Sequence, residues 1–180
     1  MALSKVDAVN FLTGTIPQGN VANASLNAVT ALPAAIATGK ILKAAYGEAT
    51  ASVTANTNSF VDAGITTSIT PTATDNHLYV EWNLQDIRRE TNVTNMVTKI
   101  YRQVNGGGYS ALATVCSGLG YGVSTTATFS ASGSYKDSTY NSTDQVDYKI
   151  YFNSNQNNDK FRVNVDGTSI STIIVMEVDV

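Results

Sequence analysis

The sequence contains one histidine and one cysteine, and that scarcity limits the chemistry open to it. A serine or cysteine nucleophile needs a base held beside it, and His77 is the only imidazole available. Asp75 lies two residues earlier, close enough for a turn to join the pair, but no nucleophile-elbow motif accompanies them. His77 is therefore read as a surface or interface side chain. Cys116 has no second cysteine to pair with and reads as a small buried hydrophobe. Together the two cannot supply a zinc set. Glu81 and Asp86 are the candidate carboxylates for glycoside hydrolysis, which needs two such groups facing each other across a cleft. Asp144 with Asp147, or Asp159 with Asp166, could join a carbonyl-rich calcium loop, although no EF-hand spacing is present. Carboxylates on polar strand faces are mostly solvated, so these pairs are read as structural. The Gly106–Gly108 run lacks a Walker lysine and a following helix, which makes it a turn and not a phosphate cradle. The expectation is a protein with no catalytic residue, no metal site and no cofactor.

Composition narrows the classes further. Charged residues make up 14% of the chain, against about 25% in an ordinary soluble domain. The net charge is −3, which offers no positive field for phosphates, so nucleic acid is excluded as a partner. No stretch is apolar for long enough to span a bilayer, and the first residues lack the apolar run of a signal peptide. No membrane association and synthesis in a cytoplasm are therefore expected. Contact surfaces remain. The nine tyrosines suit them, because an aromatic body with a hydroxyl tip works at half-wet interfaces. Tyr79 and Tyr151 stand on otherwise polar strand faces and are candidate oligomer contacts.

Two segments with different patterning must position these groups. Residues 1–39 hold only two charged side chains, Lys5 and Asp7. Isolated apolar residues (Leu3, Val6, Phe11, Leu12, Ile16, Val21, Leu26, Val29, Leu32, Ile36) are scattered there among Ala, Asn, Thr and Gly without a clear period. Such a segment has too little clustered hydrophobe for a core of its own. It reads as an extended anchoring arm whose apolar residues dock on a neighbouring subunit or another protein. The competing reading folds it back over its own domain.

From Lys40 to Val180 the pattern changes to period-2 alternation, the mark of half-buried strands. Leu78, Val80, Trp82 and Leu84 share one strand face. The same spacing holds for Ile65, Thr67 and Ile69; for Val123 through Ala131; for Val146, Tyr148, Ile150 and Phe152; and for Phe161, Val163 and Val165. The last run, Ser169 to Val178, is apolar on both faces, with Ile173 and Val175 opposed to Ile174, Met176 and Val178. A strand of that kind belongs inside a packed structure or at a subunit interface, which makes Ile173 and Val175 candidate interface residues.

Turn signals at Asp62–Gly64, Asn105–Gly108, Ser132–Ser134, Asn153–Asp159 and Asp166–Gly167 separate the runs. The Asn105–Gly108 signal marks a β-hairpin. The charged stretch 86–95 reads as an exposed loop. Nine or ten short strands without a long helix predict an all-β fold, specifically a jelly-roll β-sandwich carrying an extended N-terminal arm.

Several of these segments together resemble a known group. Gly39–Lys43, Asn58–Pro71, Asn76–Val80, Val146–Phe152 and the closing Ser171–Val178 are similar to small virion proteins of marine and cyanobacterial phages. The arm, with Phe11–Pro17 and Val21–Leu26, resembles the N-terminal linkers of phage tail-fibre proteins. The resemblance implies a single jelly roll that assembles as a homotrimer on the outer surface of a virion. It implies a capsid decoration (cement) protein whose partner is the major capsid protein. The alternative is a tail-fibre subunit joined to a tail protein, with a glycan-binding tip. The charged stretch 86–95 departs from that family, and the Gly-rich receptor-tip insertions of some fibre proteins are missing.

Overall fold

The computed structural model describes residues 40–90, 95–122, 127–156 and 160–180. By its contacts the chain divides into Met1–Thr38 and Gly39–Val180, and every described strand belongs to the second unit. The ten arm residues Leu3 to Ile36, the segment from Val123 to Thr126 and Asp159 lie outside the described residues.

Ten strands make up this unit: β1 (Ile41–Ala49), β2 (Val53–Ala55), β3 (Val61–Ile69), β4 (His77–Arg89), β5 (Met96–Val104), β6 (Ser110–Leu119), β7 (Thr128–Asp137), β8 (Val146–Ser154), β9 (Phe161–Val163) and β10 (Ser171–Val178). They form two antiparallel sheets. The first runs β1-β10-β4-β9-β2, with β7 on the other edge of β4, and the second runs β3-β8-β5-β6. Without the short β2 and β9, the chain places β1, β4, β7 and β10 in one sheet and β3, β5, β6 and β8 in the other. That interleaving is two Greek keys wound together, the jelly-roll arrangement. The expected fold class is found.

The predicted alternation decides which side chains fill the sandwich. Leu78, Val80, Trp82 and Leu84 of β4 meet Ile65 and Ile69 of β3, Ile100 of β5, and Tyr148, Ile150 and Phe152 of β8 in one core. Complete burial of side chains of this size stabilises by about 1.5–3 kcal/mol each. The sheets approach closely at one corner, where a Cβ on Gly47 of β1 would lie 1.8 Å from the carbonyl oxygen of Thr66 in β3.

Three expectations need correction. The stretch 86–95 is not simply a loop, because β4 continues to Arg89 with Ile87 and Arg89 buried. A bulge between Leu84 and Ile87, with Asp86 at φ 44°, restores the inward phase after two consecutive partly exposed residues. Asp62–Gly64 is likewise a bulge inside β3 and not a turn. Gly64 takes φ 83°, and its N–H donates to Asp62 Oδ1 at 2.8 Å. Ser132–Ser134 lies within β7, paired along β4, where a small residue is required for packing and not for chain reversal. The Asn105 hairpin does join β5 to β6. Asn105 and Gly106 have φ of 50° and 70°, and Gly107 N–H donates to the Val104 carbonyl at 3.0 Å.

Candidate functional site

The outer face of the first sheet is the most distinctive exposed surface. Registered pairing sets its side chains in rows across four strands. Tyr46 (β1), Ile174 (β10), Glu81 (β4) and Ser134 (β7) form one row. Ala44, Met176, Tyr79 and Lys136 form a second, and Glu48, Thr172, Asn83 and Ser132 a third. Exposure reaches 56% at Ile41, 57% at Tyr46 and 36% at Tyr79, while Ile174, Met176 and Val178 are half-buried on the same side. A solvated sheet face normally carries polar residues, so this concentration of aliphatic and aromatic groups is unusual.

The face has two halves. Toward β1 and β10 it is apolar. Toward β4 and β7 it sinks into a shallow open depression of about 380 Å³, lined by Glu81, Asn83, Ser132, Ser134, Thr172 and Ile174. The depression exists because β7 presents serines beside Gly133, which packs against the Trp82 indole on the inner side. The Tyr46 hydroxyl donates to Glu48 Oε2 at 2.7 Å, and this bond to an acceptor carboxylate raises the phenol pKa above its usual value.

Tyr151 belongs to the other sheet and a different setting. Its ring lies 4.1 Å from that of Tyr101, and Lys99 and Lys149 cap the rings of Phe60 and Tyr109 at 4.4 and 4.8 Å. Lys149 is also paired with Asp62 at 2.7 Å. These aromatic faces are occupied by their own sheet. Ile173 and Val175, expected at an oligomer contact, are fully buried between the sheets. The strand is apolar on both sides as predicted, but its outward members are Ile174, Met176 and Val178.

The candidate chemical pairs are not brought together as sites. His77 meets the Tyr79 ring edge-on at 6.5 Å, and among the described residues no hydrogen bond links it to Asp75. Glu81 points outward from β4, whereas Asp86 sits in the bulge and accepts from Asp166 N–H at 2.7 Å. Asp144 and Asp147 bond locally to Ser142 and Gln145. Asp166 is held ionised far below the usual carboxylate range by the N–H groups of Ser169 and Thr168. Cys116 is half-buried on β6.

Sequence reasoning missed two buried carboxylates. Asp137 is fully buried and accepts from Arg102 at 2.7 Å, from the Tyr148 hydroxyl at 2.7 Å and from Thr139 N–H at 2.9 Å. Glu177 is also fully buried, and one oxygen accepts from Thr72 N–H and Oγ1 at 2.6 Å and from Asn76 Nδ2 at 2.7 Å. Burial opposes ionisation of both, yet these donors outweigh it and hold both pKa values below normal. Tyr140 donates to the carbonyls of Ala73 and Asn76, and burial beside Glu177 and Asp137 pushes its pKa up to about 12. Glu177 shares the phase of Ile173 and Val175 along β10, but phase alone does not tell which face is inward. The network closes one end of the sandwich, with Glu177 Oε1 engaged by three donors and Oε2 buried without a hydrogen-bond partner among the described residues.

No family model matches the sequence, and no curated protein does either. Comparison with solved structures finds similarity at low identity. One is the Eiger TNF from S. frugiperda, 11% identical over 78% of this chain and 94% of that one, with a TM-score of 0.44. Another is the CBM22-1 xylan-binding domain of Xyn10C from Paenibacillus barcinonensis, 10% identical over 79% of this chain and 97% of that one, with a TM-score of 0.33.

Proposed function

We propose that this chain is a non-enzymatic structural protein of a bacteriophage particle, specifically a capsid decoration (cement) protein on the outer surface of the shell. Its jelly roll would assemble as a homotrimer, while residues 1–39 lie across the major capsid protein. The sequence resemblance supports the phage setting. The observation that carries the structural role is the apolar β1–β10 half of the first sheet's outer face, since an exposed apolar patch suits assembly better than catalysis. An uncharged arm gains backbone hydrogen bonds and apolar pockets on a partner, which offsets its ordering entropy. Several arms on one oligomer multiply that affinity through effective concentration. Deleting residues 1–39 is the test. A folded, soluble β domain that no longer attaches to particles is expected, and full occupancy by the truncated protein would overturn the anchoring role.

The polar depression favours a second reading, a tail-fibre subunit that binds host glycan and is joined to a tail protein. Glu81, Asn83, Ser132, Ser134 and Thr172 offer donors and acceptors to hydroxyl groups. Copy number in purified particles separates the two, because a cement protein is abundant relative to the major shell protein and a fibre is scarce.

A further inference from the structure

We infer that the outer face formed by β1, β10, β4 and β7 is where copies of this chain pack on one another, the β7 side of one copy seating on the β1–β10 side of the next. The inference rests on the structural role proposed above and names the partner of that surface.

Side-chain chemistry points to protein as the occupant. The middle strand β10 presents Thr172, Ile174, Met176 and Val178, so three of its four outward groups offer nothing to a sugar hydroxyl or a charged ligand. Tyr46 and Tyr79 flank that strip with half-wet rings, the residue type enriched at interface centres. With strands about 4.8 Å apart and a rise of about 3.3 Å per residue, the four-strand face covers roughly 500 Å² in projection.

Charge gives the orientation. The β10 strip itself is neutral, with Glu48 on one side of it and Lys136 on the other, and Glu81 of β4 between the strip and β7. Glu48 is on β1, where it accepts from the Tyr46 hydroxyl, and Lys136 is on β7, where it makes no ion pair among the described residues. A copy placed edge to face brings the Lys136 edge of one molecule toward the Glu48 edge of its neighbour. A two-fold axis parallel to the strands would make this pairing twice in one interface, whereas a rotation of another order makes it once per contact. Contacts of this head-to-tail kind generate a ring when the rotation closes. Both β1 and β7 are edge strands of the sheet, so neither edge is blocked by a further described strand.

The test uses the full chain in analytical ultracentrifugation with light scattering, beside particle attachment measured separately. The native protein is expected to be a closed oligomer. Ile174→Asp should weaken association at least about 30-fold, as loss of a central anchor does, while the circular dichroism spectrum stays native. Tyr46→Ser, at a site already exposed, guards against a folding defect and should weaken association in the same direction. Lys136→Glu and Glu48→Lys should each weaken it, and the double swap should restore it. A native chain that is monomeric at tens of micromolar, or an oligomer indifferent to Ile174→Asp and Tyr46→Ser, would overturn the inference. A monomer that binds glycan through Glu81 and Asn83 would also overturn it. A monomer that still decorates particles would remove this interface and leave the virion role standing; an intact oligomer that never attaches to particles would do the reverse.

Discussion

Gly133 of β7 lies directly against the indole of Trp82, its cross-strand partner on β4: a Cβ added there would sit 2.9 Å from Cζ2 and 3.1 Å from Cε2 and Nε1. The glycine thus makes room for the largest side chain of the core, and its two serine neighbours leave the outer face low. Gly133→Ala should cost about 1–3 kcal/mol, the range for overpacking a well-filled site. Trp82 is the only tryptophan, so its fluorescence in a urea titration reports both the loss of stability and the displaced ring. An unchanged midpoint and emission maximum would show that the indole moves aside without cost.

Gly47 is a harsher case. Its missing Cβ faces a backbone oxygen at 1.8 Å and not the end of a flexible side chain, so β1 cannot accept any larger residue without moving off β3. Gly47→Ala should lower stability by more than about 4 kcal/mol, the range reserved for the most disruptive single changes. Soluble yield and thermal unfolding measure it, and a melting temperature equal to that of the native protein would refute the close approach.

Arg102 and Asp137 form an inter-sheet ion pair, with the carboxylate fully buried. Removing only the arginine leaves an uncompensated charge, so Arg102→Met should cost about 3–5 kcal/mol. Adding Asp137→Asn should recover part of this, because the charge leaves with the substitution. A denaturant series on the single and double variants reads the difference, and strict additivity would argue against direct coupling.

Acid should unfold the domain through groups whose folded pKa values are depressed. Burial alone would raise Glu90, but hydrogen bonds from Lys160, Arg162 and Arg88 lower it from 4.5 to about 2. Asp137 and Glu177 shift in the same direction. Such groups contribute stability that is complete above the unfolded pKa and is lost as pH falls through the folded one. The melting temperature should therefore be nearly flat from neutrality to about pH 5 and fall increasingly below it. Glu90→Gln should melt lower at pH 7 and lose less on acidification. Parallel curves for native and variant protein would remove Glu90 from the cause.

The strands were legible in the sequence because burial on one face imposes period 2 on side-chain type, and that period survives without any knowledge of partners. Leu78 through Leu84, Tyr148 through Phe152 and the two-faced run Ile173 to Val178 show it directly, and the Asn105–Gly106 turn shows it through left-handed backbone geometry. Bulges broke the reading. A single extra residue at Asp86 shifts the phase and makes a strand end look like a charged loop, and Gly64 mimics a turn while remaining inside β3.

Which face of β10 points inward was not legible at all. Ile173 and Val175 differ from Ile174 and Met176 in no property that a sequence displays; the second sheet covers one pair and leaves the other outward. Burial of Asp137 and Glu177 had the same origin, since Arg102 for the one and Thr72 and Asn76 for the other come from segments remote in the chain. The sequence by itself determined the strand-rich class, the sparse charge and the poverty of catalytic groups, because these follow from residue types and local spacing. Only the tertiary structure decided which apolar residues form the core and which form an exposed contact face, because that choice depends on pairing between distant strands.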